Sequence, residues 1–178
     1  GLAGSVSGRG CALSVSGNRP ETIEAVIRAG LTGTITEGTS GSQISFTLNA
    51  AEDDVDPTVG AGTTADGGYT VQLVGGRAGN AGAAPYSGNG TVQRQWMFTW
   101  LVSVAYFVSG ARGEALSTAR TAIASSLVDL IEQALEPQLG ANYNVMSIGV
   151  KPSYRSMQNE GFYVQEIEVS VTTHWSRT

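Results

Sequence analysis

Read from the N-terminus, the apolar positions first take on a period at Ile23, Val26, Ile27 and Leu31, which is one face of a helix. Pro20 suits its first turn, Glu21 and Glu24 suit the positive end of its dipole, and Gly30 or Gly33 can close it. From Gln43 to Leu48 the period drops to two, with Ile44, Phe46 and Leu48 on one side and Gln43, Ser45 and Thr47 on the other. A second strand is expected from Tyr69 to Val74, with Tyr69, Val71 and Leu73 facing together. The strongest alternation runs from Thr91 to Val108. Val92, Trp96, Phe98, Trp100, Val102, Val104, Tyr106 and Val108 share one parity there, broken only by Arg94. Fully extended, such a strand spans about 55 Å, so one end must leave the body of the domain or the run must bend.

Helical spacing returns at Gly113–Leu135, where Leu116, Ala119, Ile123, Leu127, Leu130, Ile131 and Ala134 form a stripe that Pro137 forbids from continuing. Two strands close the chain, around Val145–Val150 and Phe162–Trp175. In the latter Ile167, Val169, Val171 and Trp175 face inward, and Glu166, Glu168, Ser170 and Thr172 face out. The order helix, strand, strand, long strand, helix, strand, strand predicts an α+β fold: a mainly antiparallel sheet with two amphipathic helices packed on one face. Residues 1–17, rich in Gly and Ser, read as a flexible arm, and residues 18–178 as one domain. The stretches Asn49–Gly68 and Gly75–Gly90 read as loops of a length that is usually functional or mobile.

Composition narrows the function. Charged residues make up 14% of the chain, against about a quarter in an average protein, and 24 glycines help fill their place. A neutral surface relies little on charge repulsion to keep copies apart. The formal charge is −5 and the ten Lys and Arg residues are scattered, so no basic stripe invites a phosphate backbone. Cys11 is the sole cysteine, which excludes an internal disulfide. The most apolar stretch, Trp96–Val108, is too short for a membrane helix, and the first residues lack the pattern of a secretory signal.

Candidate chemistry is sparse. The only histidine, His174, has no adjacent nucleophile or orienting carboxylate in the sequence and reads as an edge residue. Glu166 and Glu168 share a strand face, but carboxylates on the wet side of an antiparallel strand are expected. Glu52, Asp53, Asp54 and Asp56 alternate like calcium ligands, yet Pro57 replaces the bend glycine and Thr63 the bidentate Glu. Gly76, Gly79 and Gly82 follow a strand but lead to Pro85 rather than to a phosphate-holding helix. Trp96, Phe98 and Trp100 suit core or interface packing better than a stacking platform. No catalytic, metal or cofactor residues are therefore assigned. The expected function lies in surfaces rather than in catalysis.

The element order resembles that of the tail terminators of tailed bacteriophages and their neighbouring neck proteins. The likeness rests on the helix Pro20–Leu31, the strand Gln95–Tyr106 leading into the helix Glu114–Leu135, and the closing strand Tyr163–Val171. The arm before Asn18 and the long loops at 49–68 and 75–90 depart from that pattern. The resemblance implies a virion protein assembled in the host cytoplasm into a ring, usually of six copies. Such a ring caps the tail tube, meets the tube protein and the neck or head-completion protein, and lets DNA pass without specific binding. It implies no membrane partner. Two other readings remain open: a carbohydrate- or ligand-binding module, which needs Trp96, Phe98 and Trp100 exposed in a concave surface, and an enzyme, which needs a pocket around Glu166 and Glu168.

Overall fold

The computed structural model describes residues 19–41, 43–53, 55–60, 65–78, 92–108, 113–139, 145–153, 157–159 and 161–177. They form α1 (Pro20–Gly30), β1 (Thr34–Glu37), β2 (Ile44–Ala50), β3 (Asp66–Ala78), β4 (Val92–Phe107), α2 (Gly113–Leu135), β5 (Val145–Pro152), β6 (Met157–Asn159) and β7 (Phe162–Arg177). The fold is α+β. All seven strands belong to one sheet of order β1-β2-β3-β4-β7-β5, with β6 beside β5 along β7. Every pairing is antiparallel except that of β2 with β3.

The alternation along β4 sets the two faces. Trp100, Val102, Val104 and Tyr106 are fully buried against the helices, with Ile167, Val169 and Val171 of β7 beside them. The stripe of α2 lies over this layer, with Ala119, Ile123, Leu127, Ile131 and Leu135 all buried. Helix α2 also packs against both β1 and β5, the opposite flanks of the sheet order. A flat sheet cannot bring both flanks to one helix, so the sheet curls around α2. On the β1 side, Ser126 hydroxyl donates to the Glu37 carboxylate.

Helix α1 packs beside α2 and against β3. Arg28 donates to the carbonyl of Val71 at 2.9 Å and pairs with Glu24 at 3.0 Å, while the Tyr69 hydroxyl donates to the carbonyl of Arg28 at 3.3 Å. Gly30 is what permits the close helix contact: a β-carbon there would stand 2.5 Å from that of Ala134.

The opposite, convex face is dominated by hydroxyls. Thr34 meets Thr47 at 3.0 Å, Thr36 meets Ser45 at 2.7 Å, and Thr99 meets Ser170 at 3.4 Å across neighbouring strands. Thr70 and Ala105 lie on this face and are nonetheless buried. The crossover that the parallel β2–β3 pair requires carries a 3₁₀ turn, Pro57–Gly60, that packs on β3 and β4.

The structure corrects several expected bounds. β1 and β6 add two short strands, and β3 begins at Asp66 and runs to Ala78, so Gly75–Ala78 is strand rather than loop. Leu73, expected among the inward residues with Tyr69 and Val71, is 47% exposed. The arm 1–17, Cys11 and most of the second long loop lie outside the described residues.

Candidate assembly interface

The sheet continues past the layer that the helices cover. On the concave face of β4, burial falls from complete at Trp100 to half at Phe98 and Trp96. The three rings follow one another along the strand, Trp96 parallel to Phe98 at 6.1 Å and Phe98 tilted on Trp100 at 5.9 Å. Beside them β3 carries a bulge between Leu73 and Gly75. The extra residue, Val74, is 56% exposed. β4 flanks β3 as far as Ala78, whereas β2 accompanies it only to Tyr69. Among the described residues, no strand covers the other edge of β3 from Leu73 to Ala78.

The far flank of the sheet differs. Apart from an isolated bridge between Leu139 and Val145, β5 has β7 on one side and no described strand on the other. Its edge carries Lys151 and Pro152, a cation and a residue without an N–H, both of which discourage further strand pairing. The β3 edge carries Leu73 and Val74 instead. The open stretch of the β3 edge thus carries two exposed apolar side chains, whereas the β5 flank carries Lys151 and Pro152, with Leu139 exposed beside it.

A second feature lies where α2 crosses the ends of β4 and β7. Phe46, Tyr106 and Tyr163 stack in succession, with centroids 4.8 Å and 6.2 Å apart, and the Arg120 guanidinium carbon sits 4.3 Å above the Tyr163 ring. Gly67 of the intervening β3 makes room for this: a β-carbon there would stand 2.5 Å from the Phe46 ring. Arg120 Nε and Trp100 Nε1 are buried without a hydrogen-bond partner among the described residues, and the buried Tyr106 hydroxyl has no well-aligned partner beyond its contact with the Arg120 guanidinium. Each such group costs about 1–3 kcal/mol unless an acceptor reaches it. Burial pushes the Tyr106 phenol up to about 12, against the pull of the nearby Arg120 charge and of its hydrogen bond to the phenol oxygen.

No protein-family model matches the chain, and neither does any curated protein. The residues singled out in the sequence must therefore stand on their own geometry. Glu166 and Glu168 lie on the convex face, half-buried and exposed respectively, with Lys151 opposite Glu168 in register. Trp96, Phe98 and Trp100 share a face, but Trp100 is wholly enclosed, so the three do not make an open platform. The His174 side chain lies outside the described residues, as do Asp54, Thr63, Gly79, Gly82 and Pro85. Gly76 is part of β3, paired with Phe98 rather than cradling an anion.

In the acidic run, Asp53 accepts from the Val55 N–H at 2.8 Å. Asp56 accepts from the Thr58 hydroxyl at 2.7 Å and its N–H at 2.9 Å. The Thr58 hydroxyl and then its N–H hold the Asp56 carboxyl below the usual carboxylate range. These carboxylates close local turns, and among the described residues no three His, Cys, Asp or Glu side chains gather as a metal set. Millimolar calcium, or a chelator, should leave the melting temperature unchanged. A rise of several degrees with calcium would contradict this reading of Glu52–Asp56.

Sequence reasoning missed two of these features, though both left a signal. Leu73-Val74-Gly75-Gly76 places two adjacent apolar residues before a glycine pair, the mark of a bulge. Arg120 stands four residues after Leu116 and three before Ile123, a charge inside an apolar stripe. Among the described residues, no helix is long and apolar enough to cross a membrane.

Proposed function

We propose that the protein is a structural virion protein that assembles as a ring at the head-proximal end of a phage tail, capping the tail tube and docking the neck proteins. The observation that carries this reading is the exposed apolar pair Leu73 and Val74 on the stretch of β3 that outruns β2, in a sheet whose β5 flank is blunted by Lys151 and Pro152. Because the open β3 edge and the β5 flank differ, a contact from the β3 edge to another surface of the next copy is heterologous. Repeated by rotation, such a contact closes a ring, here of about six copies. The low charge of the chain and the hydroxyl-covered convex face add no strong repulsion between copies. In this reading the net charge of −5 suits a ring through which DNA passes without specific binding.

Light scattering at high protein concentration should give a mass of several chains. Replacing Leu73 and Val74 together with lysine should reduce it to one chain while leaving the melting curve nearly unchanged, because both side chains are exposed and outside the core. A wild-type mass of one chain, even with tail tube present, would overturn the proposal. A lysine variant that still assembles and caps tails would assign the contact to another surface.

A further inference from the structure

We propose that the open stretch of the β3 edge, Leu73–Ala78, receives residues 11–16 of a neighbouring copy's N-terminal arm as an added strand. The backbone of this edge is occupied only up to Val71. The Tyr69 carbonyl accepts from the Ala51 N–H at 2.9 Å, and the Val71 carbonyl, the next on the same side, accepts from the Arg28 guanidinium at 2.9 Å. Beyond Val71, β4 continues along one side of β3 to Ala78, and among the described residues no strand lies on the other. An edge of this kind is a template for one more strand, held by main-chain hydrogen bonds and selected by its side chains.

The two faces of the sheet specify those side chains. On the concave face the edge carries Leu73, 47% exposed, with Phe98 and Trp96 of β4 only half-buried. On the convex face hydroxyls pair across neighbouring strands, Thr34 with Thr47, Thr36 with Ser45 and Thr99 with Ser170. A strand that extends both faces therefore alternates apolar residues with small hydroxylated ones. Cys11-Ala12-Leu13-Ser14-Val15-Ser16 has that pattern: Cys11, Leu13 and Val15 hold one parity, and Ala12, Ser14 and Ser16 the other. The segment is uncharged and equals the open edge in length. Donor and acceptor are different parts of the chain, so each copy gives one strand and takes one, the head-to-tail contact that a ring requires. Donation between copies, rather than within one, rests on the ring reading above.

Cys11, the sole cysteine, can report the contact. It stands at one end of the donated segment, so it meets one end of the edge whichever way the strand runs. Leu73→Cys and Ala78→Cys, made singly in the full chain and oxidised with copper phenanthroline, place a second thiol at either end. One of the two should give a ladder on non-reducing gels that rises beyond the dimer. Wild type can form pairs at most, and Lys151→Cys on the β5 flank should also stop at pairs. Adding Cys11→Ser to the ladder-forming variant should abolish the ladder. Replacing Leu13 and Val15 together with proline removes two N–H groups and both apolar side chains, and should lower the light-scattering mass to one chain. A cross-link within one chain, seen as a faster band at monomer mass, would overturn donation between copies. So would a wild-type mass of several chains that the proline pair leaves unchanged, with no ladder; the ring would then stand on another contact. A wild-type mass of one chain would remove the ring and the donation with it.

Discussion

Truncating Leu127 to alanine should lower the melting temperature by about 4–20 °C without selectively harming assembly of the molecules that remain folded. Leu127 is fully buried in the middle of the α2 stripe, between Ile123 and Ile131 and over the Trp100–Val104 layer of β4. Removing three carbons there leaves a cavity that the curled sheet cannot collapse into without parting from the helix. Such truncations cost about 2–5 kcal/mol, and a domain of this size loses about 2–4 °C per kcal/mol. A thermal melt followed by circular dichroism gives the shift, and light scattering on the folded fraction gives the mass. A shift under 2 °C would mean that the stripe does not form the core.

The second large effect is expected at Gly67. A β-carbon there meets the Phe46 ring at 2.5 Å, closer than side chains tolerate, and the Ala105 carbonyl oxygen at a tight 3.2 Å. Gly67→Ala must therefore push Phe46 off Tyr106, against which it lies parallel at 4.8 Å. Overpacking of this kind costs about 1–3 kcal/mol. The cause can be isolated with a double-mutant cycle: in a Phe46→Leu background the same alanine should cost much less, because the smaller side chain leaves the space. Additive costs in denaturant titrations would show that the strain arises elsewhere.

What the sequence made legible was long and periodic. α2 was readable because 23 residues repeat one apolar stripe and a proline stops it. β4 was readable because Trp96, Phe98, Trp100, Val102, Val104 and Tyr106 hold one parity without a break. β1 escaped because its four residues bury only Ile35, too few to establish a period. The burial of Ala105 could not be read locally, since the turn Pro57–Gly60, far earlier in the chain, packs on β4. The exposure of Leu73 had the same cause in reverse: its parity is inward, but β3 outruns the strand beside it. The exposed β3 edge was thus invisible as a surface, although its bulge was written in the residues. Arg120 was visible as a charge among apolar neighbours, but the ring beneath it comes from Tyr163, 43 positions further along the chain.

The central pairing of the sheet has a consequence for synthesis. β3 can pair with β4 as soon as β4 emerges, but the other side of β4 is covered only by β7, so that Thr99 and Ser170 meet from 71 positions apart. At about 5–20 residues per second, β4 therefore waits on the order of 4–14 s after it emerges before β7 exists to pair with it. During that interval one side of Trp96, Phe98 and Trp100 lacks its neighbouring strand, and α2 is completed only part-way through it. The nascent chain is most prone to aggregate then, and chaperones have most to shield. Chains ended before Phe162 should accordingly be insoluble even though α2 is whole, because the helix alone cannot curl a sheet whose middle is missing.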